Sequence, residues 1–276
     1  MDLKLKNKVV LVTGGSQGLG LASARSLLAE GARVALVARH AGRLAQAVAQ
    51  LAEEGWKDVK AFAADLGTPQ EAERVVAEVE QALGPIDVLI NSAGAARRRA
   101  PSELDAAAWS EAISAKFLPY IHAQDAVLRR FGERARAAGQ TGETAPQREI
   151  GAIVNIVGTG GKVPSEPHIA GGAANAALLL ATIGLAQYHA RFGIRINAVN
   201  PGVTETGRIA QTLQSQAQRL GVSVAQARAL GESALPLRRY GQAAEVADVV
   251  AFVASERASY MVGALVSVDG GQKSVL

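Results

Sequence analysis

The run Thr13-Gly14-Gly15-Ser16-Gln17-Gly18-Leu19-Gly20 has the residue types of a turn that cradles a phosphate. Glycine is needed where backbone must approach a pyrophosphate, because a side chain would hold the two apart. The free N–H groups and positive dipole end of a helix beginning there face the charge. Val9 to Val12, just before the turn, is apolar without alternation and reads as a strand buried on both faces; an alanine- and leucine-rich helix follows. Strand, glycine-rich turn and helix outline a dinucleotide site, with Gly14, Ser16, Gln17, Gly18 and Leu19 against the nucleotide.

Other residues with chemistry to offer stand at the ends of further apolar runs. Arg33 to Val37 reads as a second strand ending in Ala38-Arg39-His40. In a sheet of this kind that end meets the adenosine ribose, where an acid would accept from the 2′-hydroxyl and a guanidinium offers its planar fork to a 2′-phosphate. Arg39, with His40, therefore favours NADP(H) over NAD(H); the other reading of Arg39 is a solvated strand-end cation. A fourth strand, Asp87 to Ile90, runs into Asn91-Ser92-Ala93-Gly94, whose small side chains let a loop lie against a cofactor while the Asn91 carboxamide can tie neighbouring strands together. Arg97-Arg98-Arg99 comes next and is either a receiver for an anionic substrate or for the cofactor phosphates, or an exposed loop with no ligand.

The elements that must position these residues follow a strand–helix rhythm. Val59 to Ala63 is a third strand ending at Asp65-Leu66; Thr68-Pro69 is an N-cap followed by a first-turn proline, with a helix running to Gly84. Leu104 to about Ala138 is helical, with a short helix around Trp109 and a longer one after it, and Ala152 to Val157 is a fifth strand. The polar stretch of about 139–150 reads as a surface insertion. The rhythm gives an α/β fold, a doubly wound parallel sheet with helices on both faces and its sites at the carboxyl ends of the strands. A chain of 276 residues suits one such domain. The absence of cysteine excludes disulfides, thiolate nucleophiles and cysteine metal sites, and no metal is expected. The net charge of +4 is modest, and the basic residues are scattered apart from Arg97 to Arg99, which argues against nucleic acid. No apolar run is read as approaching the roughly 20 residues of a membrane span, and the start, Met1 to Lys6, lacks a signal-peptide core. The expectation is a cytoplasmic protein with no membrane partner.

The spacing Thr13-Gly14-x-x-x-Gly18-x-Gly20, the Asn91-Ser92-Ala93-Gly94 loop, Asn200-Pro201-Gly202 and the terminal Asp269-Gly270-Gly271 resemble the short-chain dehydrogenase/reductase family, and the resemblance spans nearly the whole chain. It implies a single Rossmann-like domain over residues 1–276 with seven parallel strands, the last two being Ile194 to Val199 and Ala264 to Val268. It places Asp65 and Leu66 at the adenine, Ala93 and Gly94 along the cofactor, and Pro201, Gly202, the Val203 N–H and the Thr204 or Thr206 hydroxyl beside the nicotinamide carboxamide. Helices within about 204–235 take the place of the substrate lid, and a homo-oligomer, tetramer or dimer, is implied.

The resemblance breaks at the chemistry. The family reduces a carbonyl with a serine, a tyrosine, a lysine one helical turn later and an asparagine on the preceding helix. Here those positions fall on Gly158, Gly171, Asn175 and Lys116. Lysine and asparagine have exchanged places, so Lys116 and Asn175 are read as restoring part of the ribose contact and water relay from opposite helices. His168, the only histidine between Gly158 and Gln187, is the first candidate for the proton donor, and Tyr120, one helical turn after Lys116, is a more distant one. The small side chains from Ile169 to Ala177 leave volume near the nicotinamide for a bulkier substrate, the insertion or a partner. The first functional reading is an NADP(H)-dependent oxidoreductase acting on a small carbonyl or alcohol substrate through an unusual proton donor. The alternatives are a catalytically silent nucleotide-binding regulator and a non-redox lyase or hydrolase that reuses the cleft.

Overall fold

A computed structural model describes residues 1–207 and 209–272, apart from the side chain of Gln211. β1 (Val9–Thr13), β2 (Arg33–Ala38), β3 (Val59–Ala63) and β4 (Val88–Asn91) alternate with α1 (Gly18–Ala29), α2 (Ala41–Glu53) and α3 (Pro69–Leu83). The chain continues through α4 (Ala106–Ala112), a π-helical turn at Ile113–Phe117, α5 (Leu118–Ala137), β5 (Gly151–Ile156), α6 (Ile169–His189) and β6 (Ile194–Pro201). A short ladder of β7 (Thr204–Glu205) and β8 (Gly241–Gln242) brackets α7 (Ile209–Leu220) and α8 (Val224–Ser233), and α9 (Ala243–Ala254) and β9 (Leu265–Val268) follow.

The seven-stranded sheet has the order β3-β2-β1-β4-β5-β6-β9, all parallel. The winding reverses between β1 and β4, which opens a crevice at their carboxyl ends. Strand geometry explains why the runs are apolar without alternation. Val10, Val12, Val34 and Leu36 pack with Leu27 of α1 and Val250 of α9, whereas Val9, Leu11, Ala35 and Val37 pack with Val79 of α3 and Phe131 of α5. Each strand thus feeds two cores, and each fully buried side chain of this size stabilises the fold by roughly 1.5–3 kcal/mol. Thr68 caps α3 as expected, its hydroxyl accepting from Glu71 N at 3.4 Å, with Pro69 in the first turn.

Two expectations are corrected here. The helix spanning Glu166–Phe192 is long and apolar enough to cross a membrane by length and composition, contrary to the reading that no run approached a span. Half of its apolar window is buried inside the protein, and it packs along β6, so its hydropathy is that of a core helix. The insertion lies at the amino ends of β5 and β6, where the Gln140 amide donates to the Phe192 carbonyl at 2.8 Å and its oxygen accepts from Arg148 N at 3.0 Å. It therefore cannot fill volume near a nicotinamide at the opposite ends of the strands.

Candidate active site and cofactor cleft

The glycine-rich turn divides its labour. Gly14 has φ +65°, and a Cβ there would lie 2.6 Å from the Ser92 carbonyl oxygen; a Cβ on Gly20 would overlap the Gly14 carbonyl. Both are close-packing positions. Gly18, at φ +59°, would meet nothing nearer than Thr206 at 3.9 Å, so its surface faces open space at the start of α1. Gln17 precedes that helix in extended conformation with no side-chain cap, and the first turn holds no acid, which leaves its amides and dipole directed at the crevice. Ser16 and Leu19 are half-buried in the same turn. The Thr13 hydroxyl donates to Asn91 Oδ1 at 3.2 Å and accepts from the Ser92 and Ala93 amides at 3.1 and 3.2 Å, so it fastens β1 to the loop after β4.

Arg39 and His40 are exposed at the end of β2, and Asp65 is exposed after β3 with its carboxylate accepting from Gly67 N at 3.0 Å. Three other residues of the cleft are engaged by the protein itself. Asn91 is fully buried, and its amide donates to Asn155 Oδ1 at 3.0 Å, so its side chain braces the floor of the crevice and does not reach a ligand. Leu66 is in the core with its carbonyl accepting from His122 Nδ1 at 2.9 Å, which leaves it only a backbone N–H to offer. The Val203 N–H, assigned to the carboxamide, donates to Gln272 Oε1 at 3.1 Å because the turn after β9 folds back over Gly202. The Thr204 hydroxyl donates to the Gly202 carbonyl at 3.1 Å, bracing the Pro201-Gly202 loop from within. Gly94, at φ +88°, lies so close to the π-helical turn that a Cβ would overlap the Ala115 carbonyl oxygen.

That turn carries Lys116, which is 7% exposed. Its ammonium donates to the Tyr120 hydroxyl at 2.8 Å and to the Ile156 carbonyl at 3.3 Å, and lies 4.2 Å from the centre of the Tyr120 ring. Tyr120 is 1% exposed and donates its own proton to Ile156 O at 2.6 Å, so it is a brace for Lys116 and not a proton donor to a substrate. Asn175 approaches the end of β5 from α6, its Nδ2 3.5 Å from where a Cβ on Gly158 would be. Lys116 and Asn175 thus flank the carboxyl end of β5 from opposite helices, as their exchange suggested.

His168 fills the place that the missing tyrosine side chain would enter. A Cβ on Gly171 would overlap Cε1 of the His168 ring and lie 2.6 Å from Nδ1 and 2.7 Å from Nε2. The ring is half-buried and packs against Gly160 on its other side. Burial pushes its pKa below the ordinary value, and the nearby cations Arg98 and Lys116 push it further in the same direction. Among the described residues, three buried polar atoms at this end of β5 and β6 have no hydrogen-bond partner: His168 Nδ1, Asn175 Oδ1 and Asn200 Nδ2. Buried groups of this kind are almost always bonded, so their clustering marks a polar site. Of the other polar residues in this loop, Lys162 is drawn away to Leu265 O and Ser267 at 3.4 and 3.3 Å, and Ser165 is exposed. The arginine run also divides: Arg99 pairs with Glu111 and its amide donates to the Pro167 carbonyl at 3.2 Å, which pins the run beside His168.

Residues 8–217 match the family described as short chain dehydrogenase. The chain is 33% identical to 2-(S)-hydroxypropyl-CoM dehydrogenase 3 of Xanthobacter autotrophicus over 276 residues, all of both chains. L-sorbose reductase from Gluconobacter frateurii, solved with NADPH and L-sorbose, superposes with a TM-score of 0.88 at 27% identity, covering 100% of each chain. An NADPH-bound short chain oxidoreductase from Pseudomonas aeruginosa PAO1, described as containing an atypical catalytic center, superposes with a TM-score of 0.81 at 29% identity and 98% coverage of both.

Proposed function

The chain belongs to the short-chain dehydrogenase/reductase family, and from that membership we propose that it is an NADP(H)-dependent oxidoreductase interconverting a small carbonyl compound and its alcohol, with His168 exchanging the proton. The observation that carries this reading is the imidazole standing where a side chain on Gly171 would project.

The cleft fits the cofactor. The Gly14 to Leu19 turn, with open space over Gly18 and uncapped amides on α1, suits a pyrophosphate. Exposed Arg39 and His40 suit a 2′-phosphate, Asp65 the adenine amino group, and Ala93, Gly94, Pro201, Gly202 and Thr204 line the way to the nicotinamide. The NADPH named with two of the relatives supports the same choice. When bound, the nicotinamide supplies or takes the hydride. The chain's own task is the substrate oxygen, where charge develops as hydride reaches carbon. His168 gives that oxygen a proton in reduction and takes one in oxidation. The Asn175 amide offers a hydrogen bond in place of the hydroxyl absent at Gly158, and the buried Lys116 ammonium adds positive charge at the end of β5.

The test is fluorescence titration with NADPH and NADH, followed by a carbonyl and alcohol screen of the wild type and His168→Ala. NADPH is expected to bind more tightly than NADH. His168→Ala should keep that affinity and lose about 100-fold or more in turnover, the usual contribution of a positioned acid or base. Unchanged turnover removes His168 from the role, and tight NADPH binding without hydride transfer across the screen leaves a silent nucleotide-binding protein.

A further inference from the structure

We propose that Gln272 is a latch on the cofactor cleft: its side-chain amide holds the Val203 N–H and must release that donor before the carboxamide of a nicotinamide can use it. The inference rests on the cofactor reading above and names a control on that same site.

The loop after β6 borders both halves of the cleft. Thr206 is the nearest neighbour of Gly18 in the glycine-rich turn, 3.9 Å from where a Cβ would stand, and the Pro201 carbonyl oxygen lies 4.0 Å from where a Cβ on Gly158 would stand, at the end of β5. A dinucleotide with its pyrophosphate over Gly18 and its reacting ring beside His168 and Asn175 therefore passes residues 201–206. Within that loop the Gly202 N–H is spent on Val268 O at 3.1 Å, and the Gly202 carbonyl accepts from the Thr204 hydroxyl at 3.1 Å. The Val203 N–H is held differently. It donates at 3.1 Å to Oε1 of Gln272, a side chain from the turn after β9.

That turn is fixed in its backbone. Gly270 and Gly271, at φ +60° and +80°, reverse the chain, the Gly271 N–H donates to Asp269 Oδ1 at 3.1 Å and the Gln272 N–H to Asp269 O at 3.0 Å. One side of the turn rests on Pro236 and Leu237, which follow the lid helices, and the other is pressed on Gly202, where a Cβ would stand 2.6 Å from Gln272 Oε1 and 2.8 Å from Asp269 Cβ. The half-buried Gln272 side chain sits on a flexible stem, so a change of rotamer frees Val203 while the turn stays in place. Its terminal group is a primary amide, the same group that a nicotinamide carries. Both present a carbonyl oxygen, and one N–H in good geometry serves one acceptor, so the two amides exclude each other. Affinity for the nicotinamide half is then reduced by the fraction of molecules in which Gln272 holds the donor.

The experiment is titration of the wild type, Gln272→Ala and Gln272→Glu with NADPH and with 2′-phospho-ADP-ribose, which keeps the phosphates and both riboses and lacks the nicotinamide. Gln272→Ala is expected to bind NADPH about 3- to 10-fold more tightly, the worth of one neutral hydrogen bond, and to bind 2′-phospho-ADP-ribose as the wild type does. Gln272→Glu, whose carboxylate accepts more strongly, should weaken NADPH about 3-fold or more relative to 2′-phospho-ADP-ribose. The latch is overturned if Gln272→Ala leaves NADPH affinity unchanged or lowers it, or if the two ligands shift alike. Failure of every variant and the wild type to bind NADPH overturns the cofactor reading and the latch with it, whereas binding without hydride transfer counts against the oxidoreductase reading and leaves the latch standing.

Discussion

At the scale of single residues the site depends on which protonation state His168 holds. Its pKa is depressed below the ordinary 6.5, first by burial and then by Arg98 and Lys116, so at neutral pH the imidazole is neutral and ready to accept a proton. Alcohol oxidation should therefore rise as pH climbs through a midpoint below 6.5 and be level above it, while carbonyl reduction, which needs the imidazolium, declines over the same window. Rate profiles against pH check this, and Arg98→Gln should move the midpoint upward by removing one depressing charge. Tyr120 belongs to the same scale. Tyr120→Phe keeps the ring beside Lys116 but deletes the hydroxyl that bonds both the ammonium and Ile156 O. Urea unfolding should show a loss of about 1–2 kcal/mol. Turnover should fall at unchanged NADPH affinity; a fall in stability alone would make Tyr120 purely structural.

At the scale of elements the decisive piece is the π-helical turn between α4 and α5. A π turn inserts one extra residue into the helical path and so re-aims the side chain it carries, here turning Lys116 toward the end of β5. Gly94 supports the turn from the neighbouring loop. Gly94→Ala adds both the strain of a positive φ and a collision with the Ala115 carbonyl, and about 2–4 kcal/mol of stability should be lost. Gly139 also has a positive φ, +70°, but open space around its Cβ. Gly139→Ala should cost only about 1 kcal/mol. Thermal unfolding of the pair separates strain from collision. Only the Gly94 variant should also lose turnover, because only there is the Lys116 turn displaced.

At the scale of the whole molecule, the two ends of the sheet do different work. The amino end is knitted by Arg195, buried at 4% exposure, which pairs with Glu149 of the insertion at 2.8 Å and donates to the carbonyls of Val253, Ala254 and Ser255. Glu149→Ala leaves a buried guanidinium without its counter-ion and should cost about 1–3 kcal/mol in denaturant unfolding, with NADPH affinity unaltered. This division explains what could be read from residue order. The strands, the glycine-rich turn and the Thr68 cap were readable because each is set by neighbours within a few positions. The engagement of the Val203 N–H was not readable because its partner, Gln272, is 69 positions away. The Asn91 carboxamide ties neighbouring strands, as its residue type suggested, by bonding Asn155 of β5 and Thr13 of β1. The apolar length of α6 was underrated because alanine and glycine dominate it, residues that let it pack closely on β6.

The imidazole in the space beside Gly171 also couples positions 168 and 171. A tyrosine introduced at 171 would begin its side chain inside the His168 ring, so Gly171→Tyr alone should fold poorly, while His168→Ala alone folds and loses the proton carrier. His168→Ala with Gly171→Tyr should recover the parental melting temperature. The imidazole and a side chain at 171 thus compete for one space, and the two positions can change only together.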